Sequence, residues 1–351
     1  MPSLSGNSAP AGGTGRPAGD DAELVARAHD GEPRALARLV SLIEDDSPRV
    51  RALMRELAPR AGGARVIGLT GPPGAGKSTV TSALVKMYRN QGQRVAVLAI
   101  DPSSPFTGGA LLGDRIRMQE HATDPDVFIR SMASRGHLGG LAVATPQVIR
   151  ALDAARFGVI LIETVGVGQI EVEIAATADS VVVLVVPGMG DAVQAAKAGI
   201  LEIADVFAVN KADRPQAQET IRDLRTMIAL AQHGPDDWKP PIVSTVATTG
   251  EGIGELVDRL DAHWTWLESS GERDRRRTAR AREEVAALAL GRLRRSMSQL
   301  PGETALDPLA ARVARGELDP YRAADELLDA LGSQPEQTGP GEPAGHRAMA
   351  R

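Results

Sequence analysis

The stretch "GPPGAGKS", Gly71 to Ser78, follows an apolar run, "RVIGLT" (65–70), and precedes "TVTSALVKMYRN" (79–90). It has the spacing G-x-x-x-x-G-K-[ST], set between a strand pattern and a helix pattern. Glycines there let backbone N–H groups turn onto phosphate oxygens, where a Cβ would obstruct them. Lys77 can reach the β- and γ-phosphates and the Ser78 hydroxyl can ligate Mg²⁺. The helix that follows points its positive end at the anion. Gly71, Pro72, Pro73, Gly74, Ala75, Gly76, Lys77, Ser78 and Thr79 are therefore candidate nucleotide-binding residues.

Outward from this loop, the runs "RVIGLT", "RVAVLAI", "VILIET", "SVVVLVV", "DVFAVN" and "PIVSTV" are nearly continuous in Val, Ile and Leu. Strands buried on both faces require that composition. Helical patterns lie between them, which predicts a doubly wound, mainly parallel α/β sheet over residues 63–270. An N-terminal helical segment is expected over 21–62. There Leu36, Leu39, Val40 and Ile43 recur at helical spacing behind Pro33, and Ser47-Pro48 reads as an N-cap and first-turn pair before Val50, Leu53, Met54 and Leu57. A C-terminal helical arm is expected over 271–333, with Ala286, Leu290, Leu293, Met297 and Leu300 forming a seam fit for a partner helix, either by folding back on its own domain, which the sequence alone favours slightly, or by pairing between subunits. The ends, 1–20 and 334–351, are rich in Gly, Pro, Ser and Ala and read as disordered tails.

Two further regions carry acidic residues suited to magnesium. "VILIETVGVGQIE" ends an apolar strand in Glu163, where a carboxylate can hold Mg²⁺ or its water, with Gly166 close enough for its N–H to sense the γ-phosphate. Glutamate in place of the commoner aspartate favours a water-mediated contact or the orienting of attacking water. "AIDPSSPFTGGALLGDRIRM" supplies Asp101 and Asp114. Oxygen ligands, few in number, suit Mg²⁺, but each Asp also fits a helix cap or a turn, and both readings stand.

"VFAVNKAD" brings Asn210, Lys211 and Asp213 to the end of a strand. The Asp213 carboxylate can accept from N1–H and the amino group of guanine; adenine offers no such donor pair, and an unsatisfied carboxylate discriminates strongly. Asn210 either contacts the base or ties loops together, and the Lys211 stem covers the ring. Val246, Ala247 and Thr248, before "TGEGI", are placed to close the base pocket with a main-chain N–H. The nucleotide expected is GTP, or GDP after hydrolysis.

Composition excludes several classes. The chain has 351 residues, net charge −5 and no cysteine, so thiolate zinc sites, disulfides and Cys nucleophiles are absent. The basic runs are short, giving no reason to expect nucleic acid. The opening residues lack the basic-then-apolar order of a secretory signal, and the apolar runs are too short for a bilayer, so a cytoplasmic protein off the membrane is expected.

With "GPPGAGKST", "DPSSPFTGGALLGDRIRM", "RSMASRGHLGGLA", "ETVGVGQIE", "PGMGDAVQAAKAGILEIADVFAVNKAD" and "TGEGI" in this order, the chain over about 21–333 resembles the methylmalonyl-CoA mutase-associated GTPases, the MeaB/ArgK type of metallochaperone-like G protein. The resemblance implies a GTP-hydrolysing chaperone of an adenosylcobalamin-dependent acyl-CoA mutase, coupling the GTP cycle to cofactor loading, protection and reactivation. It places Lys77, Ser78, Asp101, Asp114 and Glu163 on phosphate and magnesium positions, and 186–197 on a loop that addresses the mutase. It also implies a homodimer formed through the C-terminal arm. Two departures bear on the partner rather than on the GTPase: Ile170 replaces a small hydroxyl residue, and "QAAKAGI" carries one lysine where a pair is common.

Arg115, Arg117 and Arg135 are candidates for a catalytic arginine, although surface ion pairing is the favoured reading for any one of them, and Gln169 is a candidate for orienting water. "DAHWTW" begins like the Asp-x-His-x-x-Gly pattern of cobalt ligation, but Trp266 occupies the glycine position, so His263 reads as a packing or surface residue and no cobalamin binding by this chain alone is expected. A kinase or ATPase linked to basic amino-acid transport would need adenine selectivity, against Asp213. A nickel-insertion GTPase would want Cys or clustered His, and the six histidines are dispersed.

Overall fold

The computed structural model describes residues 19–101, 119–121, 123–133, 144–164, 174, 176–188, 200–230, 234, 236–302 and 305–332. The apolar runs form the strands β1 (Arg65–Thr70), β2 (Val95–Asp101), β4 (Val159–Thr164), β5 (Ser180–Val185), β6 (Val206–Asn210) and β7 (Ile242–Thr245). A seventh strand, β3 (Val127–Ala133), lies outside the six runs read from the sequence. Among the described residues it pairs only with β2 and stands at the sheet edge, where Arg130 and Ser131 can interrupt its apolar character without being buried on both faces.

The sheet order is β3-β2-β4-β1-β5-β6-β7, and every pairing is parallel. Successive strand residues feed two different layers, as a two-residue side-chain period demands. Val66, Leu98, Ile160, Val181 and Phe207 pack on one face, against α1 (Gly19–His29), α2 (Pro33–Glu44), α3 (Val50–Leu57), α5 (Ala144–Ala154) and α7 (Ala217–Leu230). Ile67, Val97, Leu161, Val182 and Ala208 pack on the other, against α4 (Lys77–Asn90) and α8 (Ile253–Ser269). A short helix, α6 (Ile200–Ile203), precedes β6. Strand order turns at β1, so the crevice beyond its C-terminal end is where a ligand is expected in such a sheet.

In the N-terminal helices, Leu36, Leu39, Val40 and Ile43 are all buried on α2, which begins at Pro33. Ser47-Pro48 does not open the next helix. Ser47 instead closes a turn, its carbonyl accepting from Val50 N at 2.9 Å, and α3 starts at Val50 behind Arg49.

The chain divides into one compact unit up to Ala281 and a second from Arg282. The boundary falls within α9 (Glu272–Ser298). In the second unit, Leu300 packs with Leu309 of α10 (Leu306–Ala314) and Ala323 and Leu327 of α11 (Pro320–Gly332), with Met297 against them. The proposed seam is thus divided: Met297 and Leu300 serve this small core, while Leu290 and Leu293 are more than half exposed. Among the described residues no helix is long and apolar enough to cross a membrane.

Candidate functional site

The phosphate loop spans the gap between β1 and α4. Gly71, Gly74 and Gly76 all have positive φ, at 139°, 75° and 88°. A Cβ at Gly71 would collide with the Leu184 carbonyl, and one at Gly76 would meet Asn210 Nδ2 at 2.5 Å. Glycine is therefore required twice over at these two positions, by conformation and by close approach. Ala75 is fully buried, whereas Pro73, Gly74 and Thr79 face solvent and Pro72 and Ser78 are half-buried. Lys77 is buried; its Nζ donates to Gly71 O at 2.6 Å and Pro72 O at 3.2 Å, which holds the ammonium inside the curve of the loop.

Glu163 is the fifth residue of β4, flanked in register by Leu69 of β1 and Ala99 of β2, and is fully buried. Its Oε2 lies 2.7 Å from the Thr81 hydroxyl, which is also 3.0 Å from Lys77 O. One hydroxyl hydrogen serves one acceptor at a time, and a carboxylate is the stronger. Thr81 is a site residue that the sequence motifs pass over. The signal that could find it is its spacing, four residues after Lys77 and so on the same inward face of α4.

Asp101 is the last residue of β2, in register with Ala133, which brings its backbone to the same end of the sheet as Glu163. The side chain of Asp101 lies outside the described residues, as do Asp114, Arg115, Arg117, Arg135, Gly166, Gln169, Ile170 and the 189–197 part of the loop expected to address a mutase. Among the described residues no group of three His, Asp or Glu side chains could hold a metal. Ser78 and Glu163 offer oxygen donors alone, which fits Mg²⁺, an ion commonly bound by one or two protein oxygens together with water and substrate phosphate.

At the end of β6, Asn210 is a tie between loops, the second of the two roles open to it. Its Nδ2 donates to Ala75 O at 2.7 Å, and its Oδ1 accepts from Ala247 N at 3.2 Å and Thr245 Oγ1 at 3.3 Å. Lys211, at φ 58°, extends its amine to Gly74 O at 2.8 Å and so lays its stem toward the phosphate loop. A turn closed by Arg214 N on Lys211 O follows, with Asp213 exposed on it. The amides of 246–248 are unequal. Val246 N donates to Glu251 O at 3.0 Å and Ala247 N is taken by Asn210, so among the described residues Thr248 N is the one of the three with no intrachain acceptor.

His263 is fully buried, with Nδ1 2.8 Å from Ser180 Oγ and Nε2 3.2 Å from Asp205 Oδ1, and its ring lies against Trp238 and Trp266. It is a packing residue, and Asp261 pairs elsewhere, with Arg65.

Comparison with known proteins agrees with this geometry. The family model described as methylmalonyl-CoA mutase-associated GTPase MeaB matches residues 36–301. A Pyrococcus horikoshii protein, provisionally named a GTPase, is 48% identical over 311 residues, covering 88% of this chain and 98% of its own. The mouse protein named methylmalonic aciduria type A homolog, mitochondrial, is 35% identical over 322 residues, covering 87% and 78%. A solved structure described as an LAO/AO transport system kinase aligns with a TM-score of 0.63 at 25% identity, covering 90% of this chain and 98% of that one, and shares the P-loop GTPase fold. The chain is a nucleotide-binding GTPase and belongs to the methylmalonyl-CoA mutase-associated GTPase family, the MeaB type.

Proposed function

We propose that this GTPase is the chaperone of an adenosylcobalamin-dependent acyl-CoA mutase, methylmalonyl-CoA mutase foremost, and that its GTP cycle drives cofactor loading, protection and reactivation. The family description and the mouse relative's name support the partner. The observation that carries the choice of nucleotide is the bond from Asn210 to Ala75, which anchors the strand end bearing Asp213 to the phosphate loop itself.

In this reading residues 71–79 hold the phosphates, and Lys77 neutralises charge on the β- and γ-oxygens. Ser78, Asp101, Asp114 and Glu163 hold Mg²⁺, which when bound polarises the γ-phosphoryl group and offsets its charge. Glu163, fixed by Thr81, also accepts a hydrogen from water near the γ-phosphate, and Gly166 contributes an N–H there. Asp213 and the Thr248 amide read guanine. Turnover by the chain alone is slow, because positioning groups are incomplete without the partner. The chain works as a homodimer through its C-terminal arm, in the cytoplasm, and binds neither nucleic acid nor cobalamin by itself.

The name carried by the similar solved structure raises the rival reading, a kinase tied to basic amino-acid transport, which requires ATP. Binding and hydrolysis of GTP and ATP, measured on the wild type and on Asp213→Ala, separate the two. The expected result is strong preference for GTP, lost in the variant; tight ATP binding that survives the substitution would reverse the reading. Affinity capture from source-cell extract, with and without a GTP analogue, should recover a cobalamin-dependent mutase. Failure in both states would remove the chaperone role and leave the GTPase intact.

A further inference from the structure

A cleft of about 530 Å³ lies beside the first residue of β7, lined by Arg225, Ile228 and Ala229 of α7, by 239–242 and by Arg259 of α8. The parallel strands carry the phosphate loop and Asn210 at their C-terminal ends, whereas this cleft adjoins the N-terminal end of β7, the last strand in the sheet order. It is a separate site.

Its chemistry is one-sided. Among the described residues the lining includes three cations and no carboxylate, on a chain whose net charge is −5. Among the described residues Arg225 and Lys239 have no carboxylate partner and Arg259 pairs with Glu255 alone, at 3.3 Å in a half-exposed pair of little strength. The cations come from both sides of the sheet. Arg225 rides on α7, which packs on one face, and Arg259 on α8, which packs on the other; Lys239 enters from the segment between. Like charges brought to one place repel unless an anion joins them. The floor is apolar: Ile228, Ala229, Pro240, Pro241 and Ile242. The two prolines have fixed φ, so the backbone that carries Lys239 into β7 has little conformational freedom to lose on binding.

We infer that this cleft is a second binding site, for a small organic phosphate whose anionic group is gripped by Arg225, Lys239 and Arg259 while its apolar part lies on Pro240, Pro241 and Ile242. Guanidinium forks suit phosphate oxygens, and a charge without an apolar body would leave the proline floor wet. The cleft keeps this chemistry whichever partner the GTPase serves.

The test uses the full chain saturated with Mg·GDP, so that the phosphate loop is filled, and titrates it with phenyl phosphate, inorganic phosphate and phenol by calorimetry. Trp238, next to Lys239, gives a parallel fluorescence signal. Phenyl phosphate should bind at one equivalent, more tightly than inorganic phosphate, and phenol should not bind. Arg225→Gln with Lys239→Gln should weaken phenyl phosphate by about tenfold or more, each lost charged hydrogen bond contributing, with GDP affinity unchanged. No saturable binding in the wild type, equal affinity in the double variant, or phenol binding as well as phenyl phosphate would each overturn the assignment. Inorganic phosphate binding as tightly as phenyl phosphate would overturn the role of the apolar floor.

Discussion

Asn210 donates to Ala75 O at 2.7 Å, so the C-terminal end of β6 and the phosphate loop are one hydrogen-bonded body. Its carbonyl oxygen extends that body to Thr245 and Ala247. Asn210→Ala would leave Ala75 O and Ala247 N buried or part-buried without partners, at about 1–3 kcal/mol for each orphaned group. Both global stability and GDP affinity should fall, the latter by tenfold or more, as read by chemical denaturation and nucleotide titration. An Asn210→Ala protein that binds GDP like the wild type would show that the tie does not position the site.

Thr81 and Glu163 form the second buried contact of the site. Thr81→Val keeps the shape and removes the hydroxyl, leaving the Glu163 carboxylate one donor poorer in a fully buried place. The expected outcome is a lower kcat and a raised Mg²⁺ requirement, with a stability loss of about 1–3 kcal/mol. Thr81→Ser should restore most of the activity. A Val variant with normal kcat and normal Mg²⁺ dependence would sever Thr81 from the chemistry.

Base choice offers a cleaner sign change. Asp213→Asn replaces an acceptor pair with one acceptor and one donor, which mismatches the guanine amino group and suits the 2-oxo group of xanthine. GTP affinity should drop roughly a thousandfold while XTP affinity rises. If both nucleotides bind as before, Asp213 does not face the base.

The strands were legible because burial on both faces forces long runs of Val, Ile and Leu, and the phosphate loop because its glycines must bend where no Cβ fits. What was hidden depended on partners distant in sequence. β3 carries Arg130 mid-strand, which a sheet edge tolerates and a run-based reading passes over. The two roles of Asn210 could not be separated until Ala75 was seen opposite it. Thr81 looked like any threonine in a helix. Asp179 and Asp205 gave no local pattern at all, since their partners, Arg276, Arg277, Arg280 and His263, lie far along the chain.

Those two aspartates set an acid limit on the fold. Asp179 accepts from Arg277 at 2.9 Å and Arg280 at 2.5 Å, and Asp205 meets His263 and Arg276, each at 3.2 Å. Burial alone would raise both carboxyl pKa values; the arginines, and His263 for Asp205, outweigh it and hold them below the ordinary range. Groups with depressed native pKa stabilise the fold fully above the unfolded carboxylate range and lose that contribution as pH falls through the native values. Stability should therefore be flat near neutrality and fall below about pH 4. Arg277→Met removes one partner of a buried carboxylate, should cost about 3 kcal/mol at pH 7, and should move the acid unfolding midpoint upward. An unchanged acid midpoint would mean that Arg280 suffices.

Helix α9 has no buried residue although Val285, Leu288, Leu290 and Leu293 lie along it. Leu290 and Leu293 are 56% and 52% exposed, and apolar side chains in such a row gain about 1.5–3 kcal/mol each when fully covered. In a two-fold pair every such residue counts twice. Leu290→Glu with Leu293→Glu would place charge on both sides of the contact and should convert a dimer to a monomer by light scattering. The thermal transition of the nucleotide-binding unit should stay in place, because neither residue contributes to its core. A wild type that is monomeric at micromolar concentration, or a double variant that remains dimeric, would rule out this seam as the interface.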